Sequence, residues 1–176
     1  MFSLNDKVVY PGHGVATITR VFEKRIGQQV TVLYELKFLS KDMMIMVPKD
    51  RCEEVGIRAL SSQEVIGEVF DLLTTPSERF KNYDATTAVN WNKRHKEYQN
   101  KLSKGSLKEI SEIYKDLKTI AKHKELSFGE KTLLSKTEGL LAEEISAAQK
   151  LDSDKALEQL RSFFIMNSAS FPQKTI

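Results

Sequence analysis

The hydrophobic period of this 176-residue chain changes once, near residue 60, and no other feature limits the fold as much. Before that point the pattern runs in twos, through Lys7-Val8-Val9-Tyr10 and then residues 15–21, 30–38 and 43–47. Alternating β-branched and aromatic side chains of this kind suit strands that bury one face. Turn chemistry separates the runs. Pro11-Gly12-His13-Gly14 offers two glycines that accept positive φ, and Ile26-Gly27-Gln28-Gln29 reads as a hairpin connection. Four or five short antiparallel strands predict a small, strongly curved barrel of the SH3 or Tudor type.

After residue 60 the period becomes helical. Ser61-Ser62-Gln63-Glu64, Thr75-Pro76-Ser77-Glu78, Ser106-Leu107-Lys108-Glu109 and Ser127-Phe128-Gly129-Glu130 each set a hydroxyl three residues before a glutamate. That spacing is the capping box, in which side chain and backbone satisfy each other at a helix start. Leu107, Ile110, Ile113, Tyr114, Leu117 and Ile120 fall on one helical face, and Leu133, Leu134, Leu140, Leu141 and Ile145 on another. Residues 156–164 read as a closing helix. The expected class is α+β: a Tudor/SH3-like antiparallel module over residues 1–60, an all-α helical domain over 61–166, and a flexible tail over 167–176.

Several functional classes drop out on residue usage. No stretch reaches the roughly 18 consecutive apolar residues of a membrane helix, and the opening Met1-Phe2-Ser3-Leu4-Asn5-Asp6 has no signal-peptide character, so a cytoplasmic protein is expected. The single cysteine, Cys52, cannot form an internal disulfide, and flanking Glu53 and Glu54 argue against a reactive thiol. His13, His95 and His123 lie far apart without metal-ligand spacing, and Gly12-His13-Gly14 lacks the residues of a phosphate loop. Consecutive carboxylates such as Glu53-Glu54 and Glu143-Glu144 point about 100° apart on a helix and cannot share a proton. No catalytic set, metal or cofactor is expected.

The net charge of +3 conceals an uneven distribution. Residues 1–70 carry 9 basic and 9 acidic side chains, residues 71–136 carry 14 and 9, and residues 137–176 carry 4 and 6. A basic centre of this kind is either a footprint for an anionic partner or a set of solvated lysine-rich helix faces. Within it lies Val89-Asn90-Trp91-Asn92-Lys93-Arg94-His95-Lys96, which contains the only tryptophan. Thr87, Ala88, Arg94 and His95 give Trp91 little apolar company at helical spacing, which suggests an exposed ring. Asn90 and Asn92 can bond base edges or sugars, and Lys93, Arg94 and Lys96 can reach phosphates, with Lys101 and Lys104 extending the run. The alternative is a Trp91 that anchors its helix on the bundle while the lysines face solvent.

Four segments together resemble the CarD family of bacterial transcription regulators, whose amino-terminal module also occurs in the transcription-repair coupling factor. They are the stretch from Lys7 through Pro11-Gly12-His13-Gly14 to Val15, then Met46-Val47-Pro48, Asn90-Trp91-Asn92-Lys93-Arg94 and Leu126-Ser127-Phe128-Gly129-Glu130-Lys131. The resemblance implies a Tudor-like module that docks on the β subunit of RNA polymerase and a helical domain that touches promoter DNA at the upstream edge of the bubble. By this likeness Trp91 is a wedge in the minor groove, with Asn90 beside it and Lys93, Arg94, Lys96 and Lys131 around it on the backbone. The polymerase-facing surface corresponds to Lys24 and Arg25 and to Ile45, Met46, Val47 and Pro48. Some relatives have an arginine where this chain has Met46, which would exchange a charged anchor for an apolar contact. The implied protein is a non-enzymatic monomer that joins the nucleoid through polymerase. The competing expectation is a Tudor-like interaction scaffold that makes no DNA contact.

Overall fold

A computed structural model describes residues 2–75 and 91–166. The first part is a five-stranded antiparallel sheet formed by β1 (Lys7–Tyr10), β2 (Gly14–Ile26), β3 (Gln29–Phe38), β4 (Met44–Pro48) and β5 (Arg58–Ala59). The strand order is β4-β3-β2-β1-β5, which leaves β4 and β5 as the edges. Alternation places Val8, Ala16, Ile18, Leu36, Phe38 and Val47 in one core with Tyr34, Cys52 and Ile57. A bulge between Ile18 and Arg20 inserts Thr19 into β2, whose hydroxyl donates to the Glu35 side chain at 2.8 Å. Beyond it the β2–β3 hairpin runs on into exposed residues, turning at Gly27 with φ +63°. A 3-10 turn at Lys49–Arg51 and the short helix α1 (Cys52–Val55) carry the chain across to β5.

The rest is helical: α2 (Gln63–Thr74), α3 (Trp91–Lys104), α4 (Leu107–Ala121), α5 (Phe128–Gln149) and α6 (Ser153–Met166). The α+β expectation therefore stands, with β5 an addition too short to register as a period. The predicted stripe on α4 is wholly buried, and on α5 Leu133, Leu140, Leu141 and Ile145 join it while Leu134 stays at its margin. None of these helices is long and apolar enough to cross a membrane.

Of the three expected capping boxes that lie within the described residues, one forms completely. At the start of α5 the Glu130 N–H donates to Ser127 Oγ at 3.3 Å and the Ser127 N–H donates to Glu130 Oε2 at 2.9 Å. Ser62 rather than Ser61 caps α2, accepting from the Val65 N–H. Ser106 precedes α4 without a side-chain cap, and Glu109 accepts from Lys104 Nζ at 3.1 Å. The box beginning at Thr75 continues into residues outside those described, as does the expected tail at 167–176, and Thr75 itself terminates α2.

Ser61 is diverted because it lies at the seam between the two parts. Its hydroxyl and N–H donate to Glu144 Oε1 at 2.6 and 3.0 Å, and Arg58 donates to both Glu144 oxygens at 2.6 and 2.8 Å. Arg58 also donates to the carbonyl of Gly105 at 2.7 Å. One residue earlier on α5, Glu143 accepts from the Ser40 hydroxyl at 3.1 Å and occupies the place where Gly14 would carry a Cβ. Gly14 adopts φ +108°. The Pro-Gly-His-Gly turn thus needs glycine there for its backbone angle and for the close approach of α5.

Candidate nucleic-acid interface

Trp91 opens α3, and the inward face of that helix follows at Arg94, Tyr98 and Leu102, all buried. This spacing sets the tryptophan at the edge of the helical core, where it is half-buried rather than exposed as its neighbours in sequence suggested. Its ring leans on His95, with centroids 5.0 Å apart and planes at 45°. On the other side it lies over the first turn of α5. A Cβ at Gly129 would come within 3.2 Å of Trp91 Cζ2, so the absence of a side chain there is what admits the ring.

The corner is fixed from beneath by Glu130, which is only 1% exposed. Arg94 donates to its Oε1 at 2.9 Å, and Lys124 Nζ and the Ser127 N–H donate to Oε2 at 2.8 and 2.9 Å. Burial pushes the Glu130 carboxyl upward, but the bonds from Lys124 and from Ser127 prevail and hold it below the usual carboxylate range. A charged carboxylate therefore ties α3, the α4–α5 connection and the start of α5 together one turn away from Trp91. A second buried bond, from Tyr98 Oη to Asp116 Oδ2 at 3.2 Å, ties α3 to α4.

These contacts revise the expected set of basic residues. Arg94, read as a phosphate contact, is 3% exposed and committed to Glu130, so its guanidinium supports the corner from inside. Lys93 and Lys96 are exposed on the outer face of α3, and Lys131 is exposed one turn into α5, donating to Glu125 at 2.7 Å. Further along α3, Lys101 is partly buried and Lys104 is exposed. They donate to Glu112 and Glu109 of α4 at 2.6 and 3.1 Å. Asn90 lies outside the described residues. Sequence reading missed Glu130 and Gly129 as parts of the site, although the Ser127–Glu130 capping signal marked the turn that contains both.

The other expected surface lies on the sheet. Lys24 and Arg25 are exposed at the far end of β2, opposite Thr31 and Val30. In β4 the side chains alternate: Met46 is 56% exposed, Ile45 packs on the sheet core, and Val47 lies inside it. Val47 can therefore offer a partner only its backbone, and Pro48 is half-buried. Met44, which the sequence did not single out, shares the outward face with Met46 and is 63% exposed. Edge-strand position and two exposed methionines make β4 an accessible apolar border.

Comparison with known proteins gives both halves a context. A family model described as "CarD, C-terminal domain" matches residues 68–161, and one described as "CarD-like/TRCF RID domain" matches residues 2–61. The chain is similar to the Bacillus subtilis (strain 168) protein named "Putative transcription factor YdeB", with 23% identity over 163 residues, covering 93% of this chain and 99% of that one. It is also similar to the 72-residue N-terminal domain of Myxococcus xanthus CarD, solved by solution NMR, at 24% identity over 34% of this chain and 79% of that one, with a TM-score of 0.30. With one family model on the strands and the other on more than half the chain across the helices, this chain belongs to the CarD family.

Proposed function

We propose that the protein is a non-enzymatic transcription regulator that docks on the β subunit of RNA polymerase through residues 1–60 and stabilises the open promoter complex through residues 61–166. The observation that carries this reading is the Trp91 corner: a half-buried indole seated against Gly129 beside the buried Arg94–Glu130 pair, with Lys93, Lys96 and Lys131 exposed around it. Family membership supports it, as does the naming of the Bacillus relative as a putative transcription factor.

A regulator that bound closed and open complexes equally would shift nothing, so its activity requires a contact made better when DNA is melted or kinked. Trp91 supplies that contact at the upstream edge of the bubble by covering, from the minor groove, a base step that has lost its stacking. Unstacking costs a few kcal/mol per step. Recovering about 1.4 kcal/mol of it changes the closed-to-open ratio tenfold. Preorganisation matters here, because a ring already seated on Gly129 and His95 loses little freedom on binding. The three exposed lysines bind phosphate without reading sequence and give a log-log salt slope of about −2 to −3. That is too little for tight DNA binding, so docking on polymerase provides the effective concentration.

The docking surface combines the β4 border, where Met44 and Met46 face outward, with Lys24 and Arg25. An exposed edge strand lets an extended segment of the partner add to the sheet, with the methionines packing beside it. One copy of the chain suffices for both contacts, no cofactor is required, and the protein reaches the nucleoid of a bacterial cytoplasm through polymerase. Replacing Trp91 by alanine tests the reading. Polymerase retention should persist while open-complex lifetime falls about tenfold, and a folded variant with full activity would refute the wedge. A scaffold without DNA contact would instead tolerate neutralisation of Lys93, Lys96 and Lys131 together.

A further inference from the structure

Phe128 is 86% exposed, more than any other large hydrophobic side chain among the described residues. It has no visible task in the fold. As the first residue of α5 it belongs to neither hydrophobic core, and the capping box around it is completed by Ser127 and Glu130 alone. Its position is specific nonetheless. It precedes Gly129, whose open face admits the Trp91 ring, so the two aromatics occupy adjacent faces of a single helical turn. Lys131 follows three residues later on the same face as Phe128. The amide end of α5 adds partial positive charge, and Lys93 and Lys96 flank the corner on α3. Of the nearby carboxylates, Glu130 is buried beneath three donors, and Glu125 forms an exposed pair with Lys131, whose charge becomes available when that weak surface pair opens, while Lys93 and Lys96 stay exposed throughout.

An aromatic surface framed by cations matches a polyanion that presents flat apolar faces, which is the chemistry of an unpaired nucleotide. We propose that Phe128 is a second stacking residue that receives an unpaired base of the melted strand next to the step covered by Trp91, so that the two rings grip both sides of the fork junction. The inference rests on the reading of the Trp91 corner as a DNA contact. It adds that the melted strand, and not only the duplex edge, is held. Lys131 is released from Glu125 to meet the phosphate that follows the stacked base.

The test uses the full chain with polymerase and a promoter carrying 2-aminopurine at the upstream bubble positions, and compares wild type with Phe128→Ala, Phe128→Trp and Trp91→Ala. Phe128 is so exposed that its replacement should leave the melting temperature unchanged. Phe128→Ala should shorten the open-complex lifetime about five- to twentyfold and raise 2-aminopurine fluorescence by unstacking the probe, while Phe128→Trp preserves both and polymerase retention is unaltered. If Trp91→Ala shortens the lifetime and Phe128→Ala changes neither lifetime nor fluorescence, the second stack is overturned and the DNA reading survives. If neither alanine variant has an effect, the DNA reading itself fails. If Phe128→Ala weakens polymerase retention, the ring meets protein and the inference is overturned.

Discussion

Helix α5 carries two buried glutamates, Glu130 and Glu144, about 21 Å apart along its axis, and their partners differ in kind. Glu144 accepts every bond described above from Arg58 and Ser61, on β5 and the segment leading to α2, so it fixes the sheet against the helices. Glu130 accepts from Arg94, Lys124 and Ser127, all within the helical part, and so stiffens a corner whose outer side stays open. The same side chain in the same helix serves as a joint at one end and as the foundation of a surface at the other. The difference lies in what covers it: at the seam another part of the fold, at the corner only side chains and backbone of the helical part itself.

Breaking the foundation should have the largest effect on stability. Arg94→Ala leaves a buried carboxylate short of its guanidinium and should cost about 3–5 kcal/mol, a Tm loss on the order of 10 °C by calorimetry. Because Arg94 holds α3, the loss should include Trp91 order, visible as a red-shifted indole emission. Lysine-to-alanine changes at Lys93 and Lys96 should leave both quantities nearly unchanged. Breaking the joint comes next. Glu144→Ala should cost roughly 2–3 kcal/mol, less than Arg94→Ala because Arg58 remains partly in water. It should also divide the single melting transition in two, as sheet and helices lose their coupling.

Acid should act on the corner. The Glu130 carboxyl has a folded pKa below its unfolded value, so its stabilisation is fully present above about pH 4.3 and is lost as pH falls through the folded value. The stability of wild type measured from pH 6 to pH 2 should therefore decline in the lower part of that range, and a Glu130→Gln variant should decline less.

The smallest effect has the opposite sign. Burial raises the Glu143 carboxyl, with the Ser40 hydroxyl, the Val15 and Ser40 backbone and Lys41 only partly compensating. A raised folded pKa gives a contribution that is present below the unfolded value and lost as pH rises through the folded one. Glu143→Gln should consequently stabilise the protein slightly at pH 7, with the gain fading towards pH 4. Loss of the carboxylate at adjacent positions of one helix would then act in opposite directions, Glu143→Gln stabilising and Glu144→Ala destabilising, which urea melts of both variants can resolve.

How far these features were legible in the sequence follows from how local each is. The four longer strands were visible because alternation over four or more residues is an intrinsic pattern, whereas Arg58–Ala59 is a strand only because β1 lies beside it. Ser61 had the spacing of a cap, but Glu144, 83 residues away, competes successfully for its hydroxyl. In the basic segment, composition could not tell a phosphate contact from a core ion pair. The helical period could have done so: Trp91, Arg94, Tyr98 and Leu102 fall on one stripe, which turns Arg94 inward and leaves Lys93 and Lys96 outside. Within β4, likewise, alternation separates Met44 and Met46 from Ile45 and Val47, so a docking surface named as a continuous run was half core.

The most direct test places a photoreactive amino acid at position 96, on the exposed face of α3 beside the corner, and irradiates the complex of the full chain with polymerase and promoter. The expected product is a crosslink to the DNA strands at the upstream edge of the bubble, dependent on promoter opening and weakened by salt more than polymerase retention is. Crosslinks to polymerase subunits alone, with DNA unlabelled in an opened complex, would contradict it.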